Sequence, residues 1–283
     1  MISLIDEEYI LSRAYVPEHI VSLMALLSKG EPFLIEDHVI FARDNWLILV
    51  GYPLDGIFSQ ERCEKIAQQT VETFRPEYLW FIGSEIPPSL ADACKERLTD
   101  QYFRFEIGQT KVKSSLQRMV EKTSKEVRVE RGTFISKEHE KLITEFLKRE
   151  ELPSRIRELY RAMPDYVAHS SSVCVLNALN QKGKLSAFYI VDFGAKNFST
   201  YLIGTHSKKY YIPHASDLLF SEMINLTAHH GRNTINLGLG VNEGIRRFKE
   251  KWGGVPYLNY EFCECYYGYT RTVSLIKSLE GKL

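Results

Sequence analysis

The sequence predicts an α/β (α+β) chain of two units, each a mixed, largely antiparallel sheet flanked by helices. Three observations carry this expectation. The order strand, helix, strand, helix, strand runs through residues 46–107 and again through residues 198–267, at similar spacing. A polar stretch over residues 109–126, with Lys111, Lys113, Arg118, Lys122 and Lys125 close together, separates the two. The chain has 283 residues, long for one domain and comfortable for two at about 100–200 residues each. We therefore expect a first domain over residues 1–110, a connecting segment over 111–126 and a second domain over 127–283.

In the first unit, Pro17 begins a helix that reaches Ser28. Residues 39–43 and 46–51 form a hairpin with Asp44 and Asn45 at its turn. Ser59 caps a helix that runs to Phe74, with Ile66, Val71 and Phe74 along its inner side, and Pro76 stops it. Residues 78–83 read as a short buried strand. Ser89 opens another helix, and residues 102–107 close the unit as a strand.

In the second unit, residues 127–131 are a short strand, Ser136 caps a helix carrying Leu142, Phe146 and Leu147, and Pro153 starts one carrying Ile156, Leu159 and Tyr160. Strands follow at 172–179 and 185–193, joined by a turn at 181–184, and at 198–205. A mostly apolar helix over 216–230 stops at Gly231. A buried strand covers 234–240. Asn242 caps the helix 243–252, where Ile245, Phe248 and Trp252 recur at helical spacing, and residues 257–267 form the last strand.

Composition excludes several classes. Thirty-six Lys and Arg balance thirty-six Asp and Glu, so the overall charge gives no pull toward DNA or an anionic membrane. The five cysteines, Cys63, Cys94, Cys174, Cys263 and Cys265, are odd in number and scattered, which does not make a disulfide framework. Cys263 and Cys265 share one face of a strand and read as buried thiols. No Cys-x-x-Cys or His-Glu-x-x-His occurs, so no metal is expected. No apolar run approaches the ~20 residues of a membrane span, and the N-terminus has no secretory pattern. The expected location is cytoplasmic.

Three segments carry the chemistry. Residues 210–216 read Tyr-Tyr-Ile-Pro-His-Ala-Ser and open the apolar helix. Residues 242–254 combine Asn242, Ile245, Phe248, Lys249, Trp252 and Gly253. Residues 234–240 place Gly238 and Gly240 at a strand end, where a backbone can be approached closely. In order and placement these resemble the GNAT acyltransferases. Their diphosphate cradle reads Gln or Arg, two residues, Gly, one residue, Gly or Ala. Ala215 and Ser216 fit that cradle. Tyr210 and Pro213 do not, and Pro213 removes one amide donor. Lys208 and Lys209 can supply charge instead, and His214 lies beside them. The resemblance implies that strand 234–240 splays from its neighbour, opening the way for a thioester arm past Gly240.

Asn242 and Gly253 fit the C-terminal motif of the family in register. Lys249 stands where most members carry a tyrosine, and in this the chain resembles the Fem-type aminoacyltransferases and the phosphatidylglycerol lysyltransferases. The resemblance implies that Lys249 steadies negative charge on the reacting carbonyl oxygen. It also implies coenzyme A or acyl-CoA as co-substrate, with Lys208, Lys209, His214, Ala215, Ser216, Gly240 and Asn242 about it. The acceptor is a small-molecule amine or an amino-acid-like molecule. Asp192 and Glu222 are further candidates to hold that amine. Other donors that remain open are an acyl carrier protein and an aminoacyl-tRNA, and a non-catalytic binding role on a decayed pair of folds also stays open.

Overall fold

The computed structural model describes residues 2–268. The first half contains α1 (Leu4–Arg13), a 3-10 turn at Pro17–His19, α2 (Val21–Ser28), β1 (Glu31–Ile35), β2 (His38–Arg43), β3 (Trp46–Val50), α3 (Gln60–Phe74), β4 (Tyr78–Gly83), α4 (Pro88–Ala91) and β5 (Cys94–Glu106). Then come α5 (Ser114–Thr123), β6 (Val127–Gly132), α6 (Lys137–Arg149), α7 (Ser154–His169), β7 (Val173–Asn180) and β8 (Leu185–Asp192). The chain continues through β9 (Phe198–His206), α8 (Ala215–His229), β10 (Thr234–Leu239), α9 (Glu243–Trp252) and β11 (Val255–Tyr266). Residues 269–283 of the expected second domain lie outside the described residues.

The eleven strands among the described residues join one mixed sheet in the order β1-β2-β3-β4-β11-β5-β10-β9-β8-β7-β6. The last strand of each half sits in the other half. β11 runs antiparallel between β4 and β5, and β5 runs antiparallel between β11 and β10. The arrangement β3-α3-β4-α4-β5 is thus answered by β9-α8-β10-α9-β11, with the exchanged pair at the centre.

Alternation along the strands sets the two faces. Phe103 and Phe105 of β5 pack with α8. Cys263 and Cys265 of β11 pack with Cys63 and Ile66 of α3. Cys263 lies opposite Arg97 in register, so α3 and α8 cover the same face. The other face packs against α1, α2, α6 and α7. β8 is buried along its whole length, as expected of a strand covered on both faces.

Several sequence readings change. The helix expected from Ser89 is only the single turn α4, because from Cys94 onward the chain pairs with β11, from Cys94↔Cys265 through Arg104↔Val255. Residues 94–100 have this one strand neighbour, since β10 reaches only Tyr102–Glu106, and their polar side chains suit that edge. The helix expected from Pro17 divides into the 3-10 turn and α2. Two elements were not foreseen. α1 is held by a reciprocal Ser3–Asp6 capping box, and β1 is an outer edge strand. The segment 111–126 holds α5, which buries Leu116 beneath α8.

The exchange predicts how the chain unfolds. A fragment of residues 1–110 lacks the strand that joins β4 to β5, so it should show no cooperative melt by circular dichroism. The full chain should unfold in one transition. A native-like, cooperatively melting fragment would show that the halves are independent.

Candidate active site at a split between parallel strands

The two parallel strand pairs differ. β3 and β4 pair along β3 from Trp46↔Tyr78 to Val50↔Ile82, and the Gly51 amide adds a bond to the Ile82 carbonyl. The Phe81 ring fills the space over Gly51 and Gly83, so closely that a methyl group on Gly51 would lie 2.4 Å from it. β9 and β10 pair only at Phe198↔Thr234, Ser199↔Ile235 and Thr200↔Asn236. β10 then bulges against β5, Gly238 takes φ +72°, and its amide donates to Asn236 Oδ1 at 2.8 Å. Beyond Thr200 the β10-facing edge of β9 has no ladder partner among the described residues, a main-chain edge that invites pairing.

Lys249 sits at the far end of this split. It is 4% exposed, in the last turn of α9, and its Nζ donates to the Leu239 carbonyl that ends β10. The ammonium lies 5.5 Å from the centre of the Phe103 ring. Burial pulls its pKa down to about 7, and the nearby Asp100 carboxylate opposes that fall. Asp100, from the exchanged strand β5, also accepts from the amides of Gly240 at 3.2 Å and Val241 at 2.9 Å. Ile245, Phe248 and Trp252 recur at helical spacing, and Lys249 lies one position, about 100°, past Phe248, at the border of the side they mark. It is in fact inside, and Ile245 is the residue left half-exposed.

At the mouth of the split, α8 starts from His214, which adopts φ +65°. The Ala215 amide bonds to the Ile212 carbonyl at 3.2 Å. Among the described residues, nothing accepts from the Ser216 or Asp217 amides, the open donors of a helix N-terminus. Asp217 is buried in that first turn. Its Oδ1 accepts from Trp252 Nε1 at 2.9 Å and from Lys251, and its Oδ2 meets His214 Nδ1 at 2.9 Å. This carboxylate ties α8 to α9.

The residues singled out in the sequence divide into groups. Lys208 and Lys209 are exposed on the loop before α8, with Lys209 over the Tyr210 ring at 5.2 Å. They lie on one segment with His214, Ala215 and Ser216. Gly240 and Asn242 stand beside Lys249, yet their polar groups are engaged. The Gly240 amide is held by Gln101 and Asp100, and Asn242 Oδ1 caps α9 through the Ile245 amide at 2.9 Å. Asp192 and Glu222 are not free to hold an amine. Asp192 is buried and accepts from Tyr166, Ser172 and the Gly194 amide, and Glu222 pairs with Arg131. Sequence reading missed Asp100 and Asp217. An acid inside the apolar start of α8 was a usable signal for Asp217. Asp100 had none, because its placement depends on the strand exchange. Among the described residues no group of His, Cys, Asp or Glu is arranged to hold a metal, and no helix is long and apolar enough to cross a membrane.

No protein-family model matches the chain, and no curated protein sequence matches it. Solved structures do. A C-terminal domain of a putative lysylphosphatidylglycerol synthetase from Agrobacterium fabrum superposes with a TM-score of 0.62 at 17% identity, over 97% of this chain and 96% of that one. FemX gives 0.62 at 10% identity over 92% and 96%. A tandem GNAT protein from the clavulanic acid biosynthesis pathway gives 0.53 at 11% identity over 93% and 94%. The fold is therefore GNAT-like, with its likeness to the Fem and lysyltransferase structures running over nearly the whole chain.

Burial of Lys249 has a consequence for stability. Its folded pKa, about 7, lies below the roughly 10.4 of an exposed lysine. Between those values the unfolded chain holds the proton and the folded one does not, so this group adds stability as pH rises and withdraws it as pH falls toward 7. Lys249→Met should flatten that slope and melt higher than the parent at pH 6.5. A lower melting temperature for the variant at that pH would contradict the burial.

Proposed function

We propose that the chain is an acyltransferase in which an amine attacks an activated acyl group directly, at the β9/β10 split, with Lys249 facing the carbonyl. The observation that supports this most is the contrast between the two halves. The β3/β4 pair is zipped and plugged by Phe81, whereas the β9/β10 pair opens and ends at a buried ammonium. An extended, amide-bearing arm lying in the split would satisfy the free edge of β9. The developing oxyanion would meet a cation already desolvated, where charge stabilisation is strong. We take an acyl thioester as the donor, coenzyme A or an acyl carrier protein. Its phosphates would rest on the Ser216 and Asp217 amides, near Lys208, Lys209 and Lys251. Lys251 offsets the Asp217 charge that would otherwise repel them.

An aminoacyl-tRNA donor is the second reading. It is favoured by the likeness to FemX and to the lysylphosphatidylglycerol synthetase domain and by Pro213, which thins the cradle. Mass spectrometry of molecules that copurify with the native protein separates the donors. With coenzyme A itself, calorimetry should show weak binding whose affinity falls as salt rises. Tight, salt-insensitive binding would assign the loop a different role.

Lys249→Met keeps the packed stem and removes the charge. Losing one such stabilising contact costs about 2.7–4 kcal/mol, so turnover should drop about a hundredfold or more with little change in donor affinity. A cationic role also fixes the sign of the pH profile. Since Lys249 titrates at about 7, kcat/KM should fall as pH rises through that region. A limb that rises there and vanishes in Lys249→Met would make the lysine a base instead.

A further inference from the structure

On the sheet face opposite α8, two charged side chains are held close together without being paired. Glu18, in the 3-10 turn before α2, accepts from the Tyr102 hydroxyl through Oε1 at 2.6 Å. Among the described residues nothing donates to its Oε2, which is shielded from solvent. Arg155, at the start of α7, donates from Nη1 to the Tyr260 hydroxyl at 3.2 Å and lies over the Tyr260 ring at 5.1 Å. Among the described residues its Nε has no partner. The Tyr102 and Tyr260 rings meet edge-on, 5.5 Å apart. One phenol therefore anchors the acid and its neighbour anchors the guanidinium. Among the described residues no ion pair joins Glu18 to Arg155.

A buried carboxylate oxygen and a buried guanidinium nitrogen without partners are costly to keep, and native structures satisfy such atoms. A ligand carrying both complementary charges would satisfy the two at once. The wall is suited to that ligand, because tyrosine rings attract a cation and a guanidinium binds a carboxylate in a fixed fork. The place is also suited to the chemistry. Tyr257, 6.4 Å from the Tyr102 ring, accepts from Asn236, the last residue of β10 still paired to β9. Leu239, whose carbonyl holds Lys249, packs against the same tyrosine cluster. Burial raises the Glu18 carboxyl above its ordinary range, against the pull of Tyr102, its own amide and Arg155, which suits a group that receives a proton.

We infer that the Glu18 and Arg155 side chains part to open a pocket that is the acceptor site and takes a zwitterionic, amino-acid-like amine, its ammonium on Glu18 and its carboxylate on Arg155. The inference rests on the transfer reading above and names the acceptor class for it. The ammonium first passes one proton to the Glu18 carboxylate, which frees the nitrogen lone pair to form a bond to the donor carbonyl carbon. The bond to the donor's sulfur or ester oxygen breaks, and that atom leaves with the electron pair and takes up the second proton that the nitrogen sheds.

The test is a titration of the full-length protein, with carbon-labelled tyrosine observed by NMR, against L-alanine, ethylamine and propionate. L-alanine should shift ring signals that Tyr102→Phe and Tyr260→Phe assign to the pocket. It should bind at least about tenfold tighter than either single-charge probe, as a second charge-assisted contact implies. Glu18→Gln, which still accepts from Tyr102, should abolish the response to L-alanine and ethylamine while sparing propionate. Arg155→Met should abolish the preference for L-alanine over ethylamine. Equal binding of L-alanine and ethylamine to the wild-type protein overturns the inference, and so does undiminished L-alanine binding by Glu18→Gln. Should Glu18→Gln fail to fold, the three-probe comparison on the wild-type protein decides alone. L-alanine binding should survive in Lys249→Met, so a pocket that binds as described in a protein without transferase activity would separate failure of the function from failure of the site.

Discussion

The structure depends on the main-chain pairing of β5 with β11. Each strand completes the half that did not produce it, and together they make two short sheets into one of eleven strands. The bond is non-local, since it joins residues 94–104 to residues 255–265. The second half cannot finish its own site without the first. Asp100 and Phe103, which flank Lys249, both arrive on β5. Tyr102 and Tyr260, which hold Glu18 and Arg155, come from the two exchanged strands.

Within this shared frame the two halves have diverged through a few small residues and one ring. Gly51 and Gly83 leave room for Phe81, and that ring closes the first parallel pair. In the second, Asn236 turns its side chain onto the Gly238 amide, and Gly238 accepts a backbone angle that other residues rarely adopt. β10 is thereby bent away from β9. A split of this kind leaves main-chain groups unpaired, a cost that a binding site recovers when a ligand arrives.

The electrostatics show the same trade. Lys249, Glu18 and Asp217 are charges set in low-dielectric surroundings, and each has partial compensation. Lys249 has a carbonyl and the unbonded Asp100 carboxylate nearby, Glu18 one phenol, and Asp217 a lysine, an indole and a histidine. Asp217 is nearly satisfied, and it fastens α8 to α9 across the mouth of the split. Lys249 and Glu18 are less so, and they are the two charges that the proposed transfer uses. Where compensation is incomplete, protonation is easily shifted, a property that active sites use.

The sequence by itself determined the local elements and their order. Ser59, Ser136 and Asn242 begin helices where they were expected to, Gly231 follows the end of α8, and the turns at 44–45 and 181–184 close hairpins. These signals act between residues a few positions apart, so a single chain displays them. The position of Lys249 in α9 and its register with Asn242 and Gly253 were legible for the same reason. Tertiary structure alone decided that β5 extends back to Cys94, because residues 94–100 are polar and become a strand only when β11 pairs with them. It alone decided that Lys249 is buried, since the Phe103 and Leu239 that cover it are brought together by the sheet. Asp100, Glu18 and Arg155 carry no local mark at all. They acquire meaning when strand exchange and helix packing set residues far apart in sequence side by side, 84 positions for Tyr102 and Glu18 and 140 for Gly240 and Asp100, and no periodicity in the chain records that approach.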